Sequence, residues 1–147
     1  MNVFLSQLES VCSSTVNTVS LLANAAALLN DHLDDINWVG FYLYNNGQLV
    51  LGPFQGKVAC TTIPIGKGVC GTSFQKKMLL NIKNVHEFEG HIACDSKTNS
   101  ELVIPLIHNG KRFGVLDIDS VSYSRFKGLD EDELQEAADI ISKYLDK

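Results

Sequence analysis

Across residues 5–33 the apolar positions recur every three or four residues, the spacing that gathers side chains on one face of a helix, and the pattern breaks once, near Cys12-Ser13-Ser14-Thr15. Ser and Thr cap helices readily, so two helices joined at that break are predicted. The period then shortens. Asn37-Trp38-Val39-Gly40-Phe41-Tyr42-Leu43-Tyr44 is aromatic and β-branched, Asn45-Asn46-Gly47 supplies the positive φ of a tight hairpin, and Leu49-Val50-Leu51 resumes the strand pattern. Residues 57–65 read as a further strand, 66–73 as a glycine turn opening a short helix that runs to Lys77, and 79–82 as a short strand. A second hairpin is predicted from the apolar runs 102–107 and 112–118 around His108-Asn109-Gly110-Lys111. The closing helix, 130–144, begins with acids that suit its positive end and carries Leu134, Ala137, Ala138 and Ile141 on one face. Together these elements predict an α+β fold, a mostly antiparallel central sheet flanked by N-terminal, internal and C-terminal helices, with residues 1–147 forming a single domain.

Composition supports one core: 45% of the 147 residues are apolar and 20% charged. Twelve basic against seventeen acidic residues leave a charge of −5, which argues against nucleic acid and anionic membranes as partners. No apolar run approaches the length that spans a bilayer, and residues 1–10 lack the features of a signal peptide, so a cytoplasmic protein is expected. That compartment changes the reading of the four cysteines, Cys12, Cys60, Cys70 and Cys94. Under reducing conditions structural disulfides are rare, and redox chemistry or metal binding becomes the usual special use. The cysteine spacings match no zinc pattern, so a metal site would have to be assembled wholly by the fold; neither metal nor cofactor is expected.

The polar stretch 86–100 is longer than an ordinary connection and reads as a functional loop, with Cys94 inside it. His91 and Lys97 nearby favour a thiolate, and Asp95 opposes one. Cys70 falls near a helix start, where the dipole can lower a thiol pKa, and Cys60 ends the strand before it; the plainer alternative is that both are buried structural cysteines. Cys12 lies on the apolar helix pattern and reads as core. Asp117 and Asp119, two apart on a strand, project from one face. In a pocket their repulsion would raise one pKa and keep a proton available for acid catalysis, whereas at a solvent-facing edge they would do nothing special. Glu101, opening the preceding strand, is placed to add a third acid. Trp38 and Tyr42 share a strand face and suit either a pocket wall or plain core. The four histidines are scattered and suggest no role.

In these residues the chain resembles the free methionine-(R)-sulfoxide reductases, single GAF domains with reactive cysteines. The likeness is closest in Asp35-Ile36-Asn37-Trp38-Val39-Gly40-Phe41-Tyr42, Gly52-Pro53-Phe54-Gln55-Gly56-Lys57-Val58-Ala59-Cys60, Gly66-Lys67-Gly68-Val69-Cys70-Gly71, His91-Ile92-Ala93-Cys94-Asp95-Ser96, Ser100-Glu101 and Gly114-Val115-Leu116-Asp117-Ile118-Asp119-Ser120. The resemblance implies a GAF-like fold, Cys94 as nucleophile, Cys60 as principal and Cys70 as second resolving cysteine, and Trp38 and Tyr42 around the substrate methyl and sulfur. It further implies that Glu101, Asp117 and Asp119 hold the substrate and assist departure of the sulfoxide oxygen, that free methionine sulfoxide is the substrate, that thioredoxin is the reductant, and that the protein is a homodimer. Two rivals lack turnover: a ligand-sensing GAF module that binds a cyclic nucleotide or other small molecule, for whose output domain the chain leaves no room, and a thiol switch that uses the same cysteines.

Overall fold

The computed structural model describes residues 2–92 and 94–146; Met1, Ala93 and Lys147, which belong to the expected 1–147 domain, lie outside the described residues. Two helices open the chain, α1 (Val3–Ser13) and α2 (Thr18–His32). Both caps are asparagines, and for α2 this replaces the Ser or Thr expected at the break: Asn2 Oδ1 accepts from Leu5 N–H at 2.8 Å and Asn17 Oδ1 from Ser20 N–H at 3.0 Å. Cys12 stays inside α1 as a fully buried core residue, its thiol pushed up by burial to about 12.

Strands β1 (Trp38–Asn45) and β2 (Gln48–Gly56) form the first hairpin, turning through Asn46 and Gly47 at φ 51° and 82°. A short β3 (Thr62–Pro64) and the helix α3 (Gly68–Lys76) follow, then β4 (Leu80–Ile82). The second hairpin is β5 (Ser100–His108) with β6 (Lys111–Ser120), and α4 (Gly128–Leu145) ends the described chain. The six strands lie in the order β3-β2-β1-β6-β5-β4, each pair antiparallel. One expected strand is mostly absent: of residues 57–65 only Thr62–Pro64 pairs with β2, while Val58 is 90% exposed. An apolar residue that fills no core position leaves this stretch without a reason to join the sheet.

Strand alternation sends side chains to two different cores. Val39 and Phe41 of β1, Leu102, Ile104 and Leu106 of β5, and Leu116 and Ile118 of β6 face α1, α2 and α4, packing on Leu8, Leu22, Ala26, Leu134 and Ala138. The intervening residues Trp38, Tyr42, Val103 and Val115 face the other way, where α3 contributes Val69, Cys70 and Phe74. This second layer is smaller, and α3 covers only part of the sheet; the remainder opens as a pocket. At Gly114 a Cβ would lie 2.0 Å from Tyr42 O, so the absence of a side chain lets β6 lie close against β1 there.

Candidate active site

Pairing register builds the pocket floor. Trp38, Asp119 and Glu101 lie in one row across β1, β6 and β5, and Gly40, Asp117 and Val103 form the next. A period of two keeps all of them on the face away from the three large helices. The pocket holds about 540 Å³ including its mouth, with Trp38, Tyr42, Ile63 and Val69 as apolar wall and Glu101, Asp117 and Asp119 as floor.

The aromatic wall is fastened at its polar tips. Trp38 Nε1–H donates to Lys57 O at 3.1 Å, and Tyr42 O–H donates to Cys60 O at 2.9 Å. Trp38 also stacks on Phe54, ring centroids 5.2 Å apart. The irregular segment 57–61 is therefore held to β1 by two side-chain bonds, and it carries Cys60. Cys60 is bridged to Cys94, with Cα atoms 5.5 Å apart, so the fold joins two cysteines separated by 34 residues. Cys94 contributes to the pocket lining alongside Asp95 and Thr98.

The floor differs from expectation in degree. The sequence predicts that repulsion raises one carboxyl; here all three rise well above their ordinary values. Burial is the leading cause for each, followed by a neighbouring carboxyl: Asp117 for Glu101, Asp119 for Asp117, and Glu101 for Asp119. Oδ1 of Asp117 and Oδ1 of Asp119 are buried without a hydrogen-bond partner among the described residues. The groups around them are other carboxyls and the Cys70 thiol, so a bound proton is what makes these contacts favourable.

Cys70 corrects a second expectation. It sits in the first turn of α3, yet its thiol is raised rather than lowered, first by burial and then by the charges of Asp117, Glu101 and Asp119. A helix dipole acts as a fraction of a charge, and three close carboxyls outweigh it. His91 likewise brings no positive charge: burial, then His86, lowers its pKa. Cys70, Glu101 and Asp117 place ligand atoms within 4.8 Å of one another, a constellation able to hold a metal ion.

One participant is not singled out by composition or spacing. Asn37 Nδ2–H donates to Asp95 Oδ2 at 3.0 Å and Thr98 Oγ1 at 3.1 Å, and its backbone N–H to Asp119 O at 2.8 Å. It ties the Cys94 loop to the acid-bearing strand. Its position just ahead of Trp38 was the one available signal.

The GAF-domain model matches residues 7–145. The chain is 50% identical over 127 residues to the free methionine-R-sulfoxide reductase of Escherichia coli strain K12, covering 86% of this chain and 77% of that protein. The chain belongs to the free methionine-R-sulfoxide reductase family of GAF domains. The reduced form of fRMsr from Staphylococcus aureus superposes with a TM-score of 0.93 at 46% identity, covering 97% of this chain and 92% of that one. The free methionine-R-sulfoxide reductase from Neisseria meningitidis, solved in complex with its substrate, gives 0.92 at 43% identity, covering 96% and 85%. Family membership carries the expected α+β GAF-like fold, and no helix among the described residues is long and apolar enough to cross a membrane.

Proposed function

We propose that this protein reduces free methionine-R-sulfoxide to methionine with Cys94 as nucleophile. The observation that supports this most directly is a Cys60–Cys94 bridge beside a pocket floored by three buried carboxyls, each with its pKa raised. A sulfoxide sulfur is attacked by a thiolate only as its oxygen takes up a proton, so the reaction needs a thiolate and an acid on opposite sides of one small pocket.

The nucleophile is assigned to Cys94 from the family resemblance; Cys94 lines the pocket, as Cys70 also does, but burial raises the Cys70 thiol. The Cys94 thiolate bonds to the substrate sulfur as a floor carboxyl protonates the oxygen; the hydroxyl then passes from that sulfur to the cysteine sulfur while the S–S bond breaks, which releases methionine and leaves Cys94 as a sulfenic acid. The Cys60 thiol displaces water from that sulfenic acid to form the disulfide, and a thioredoxin-class dithiol reduces it by exchange. Cys70 is the slower, second resolving thiol, since burial among acids keeps it protonated. Trp38 and Tyr42 bracket the methyl and sulfur. The unpartnered oxygens of Asp117 and Asp119 can also accept hydrogen bonds from a free ammonium group, which favours the free amino acid over a peptide. A homodimer and cytoplasmic residence complete the reading, the first drawn from the family resemblance and the second from thiol chemistry that needs a reducing compartment.

The test is methionine release from free R, free S and peptide-bound methionine sulfoxide, with thioredoxin recycling and in a single turnover without it. Turnover of the free R epimer, lost with Cys94→Ser even in the single turnover, is expected; Cys60→Ser should retain methionine release and lose the recycling disulfide. Methionine release at wild-type yield by Cys94→Ser would assign the nucleophile elsewhere.

A further inference from the structure

We propose that, once the Cys60–Cys94 bridge is reduced, the pocket floor binds a soft divalent cation such as Zn²⁺ or Cd²⁺ through Cys70 Sγ and one oxygen each of Glu101 and Asp117. These atoms come from α3, β5 and β6 and lie within 4.8 Å of one another. A tetrahedral zinc site, with Zn–S about 2.3 Å and Zn–O about 2.1 Å, spaces its ligands about 3.5 Å apart, so small side-chain rotations would seat the ion. No sequence motif announces the site because its three ligands share no element.

A separate observation points to a cation. Asp117 is 5% exposed, and its Oδ1, like that of Asp119 beside it, has no donor among the described residues. An acceptor shielded from water and left without a donor is what a cation can satisfy. The thiolate selects among cations: sulfur favours Zn²⁺ and Cd²⁺, while Mg²⁺ and Ca²⁺ prefer all-oxygen shells. Three protein ligands leave a fourth position facing the pocket, open to water or to Cys94. Binding is acid–base chemistry without electron transfer. The S–H bond of Cys70 breaks, its electron pair forms the metal–sulfur bond, and that proton and any proton held by Glu101 or Asp117 leave to solvent.

The consequence for turnover rests on the proposed function: the ion occupies the position of the sulfoxide oxygen and competes with substrate. Binding itself is independent of that reading. The experiment titrates the full chain, held reduced by a non-thiol reductant, with Cd²⁺ and follows the ultraviolet sulfur-to-cadmium charge-transfer band. Zn²⁺ affinity is measured against a chromophoric chelator. The double variant Cys60→Ser, Cys94→Ser should keep the band at one equivalent. Cys70→Ser should lose it and weaken Zn²⁺ at least about tenfold, the lower edge of what even an outer-shell partner contributes. Asp117→Asn should keep the band and weaken binding. Circular dichroism checks folding; should Cys70→Ser unfold, protection of Cys70 from alkylation by Cd²⁺ in the double variant makes the same test. A band that vanishes in the double variant and survives Cys70→Ser would place the metal on the loop thiols and overturn the proposal, as would unprotected alkylation. In steady state Zn²⁺ should raise KM with little change in kcat; absent turnover in metal-free protein would instead count against the enzyme reading and leave the band untouched.

Discussion

Asn37 Nδ2–H donates to Asp95 Oδ2 at 3.0 Å, and through that bond the residue preceding the aromatic wall holds the residue following Cys94. Asn37 touches neither the sulfur chemistry nor the floor carboxyl groups, so its part is positioning. Misplacing a reacting group by about 1 Å can lower a rate about 10²-fold. Asn37→Ala should therefore lower kcat and the single-turnover rate by about 10- to 10²-fold with little change in KM. Single-turnover methionine release measures it directly. An unchanged rate would mean the loop keeps its own place.

The three acids make a prediction about rate against pH. Their pKa values lie above the carboxylate range, so the proton they hold is lost, and the rate falls, as pH rises through those values. At least one of Glu101→Gln, Asp117→Asn and Asp119→Asn should reduce kcat by about 10²–10⁴-fold and abolish that alkaline fall. If all three amides alter KM alone and leave the profile intact, the acids bind substrate and the proton comes from another source.

Stability should follow the same groups. Unfolded Asp and Glu titrate near about 3.9 and 4.3, while the folded values are raised, so between them the folded chain binds more protons than the unfolded one. The stabilising contribution is thus complete below about pH 4 and is lost as pH rises through the folded values. Glu9, lowered first by its bond from the Tyr144 hydroxyl, has the opposite sign but is common to all variants. Asp117→Asn should flatten the decline of Tm from acid to neutral pH. Parallel Tm curves for wild type and variant would show that the cluster ionises like surface carboxyls.

Gly40 lies between the two acids' strand and the aromatic wall. A Cβ there would meet Phe54 Cβ at 2.3 Å and Trp38 Cη2 at 2.9 Å. Gly40→Ala should destabilise by about 1–3 kcal/mol, the usual range for overpacking, and raise KM by displacing the indole from the pocket wall. Urea unfolding and steady-state kinetics read the two effects. Unchanged stability and KM together would mean that Phe54 moves aside freely.

Much of this was legible because strand periodicity is a strong local signal. Two residues of spacing put Asp117 beside Asp119 and four put Tyr42 beside Trp38, and the two Asn-Gly turns fixed which strands would pair. Long-range electrostatics was not legible. That Cys70 would meet Asp117 depends on how α3 lies across β6, and the helix-start argument then gave the wrong sign for its pKa. The segment 57–61 reads as strand for a related reason: Val58 has strand propensity but lies 90% exposed, and the carbonyls of Lys57 and Cys60 are bonded to side chains of β1 rather than to a strand backbone.

The chain has one tryptophan, and its indole N–H is bonded to the carbonyl of Lys57, three residues before Cys60. That places the chain's single indole, 3% exposed, against the segment that carries one half of the disulfide. Indole emission depends on the hydrogen bonding and polarity around the ring. If that segment moves as the bridge opens, stopped flow should resolve the opening as a change in indole emission, an optical signal intrinsic to the protein and free of any attached dye.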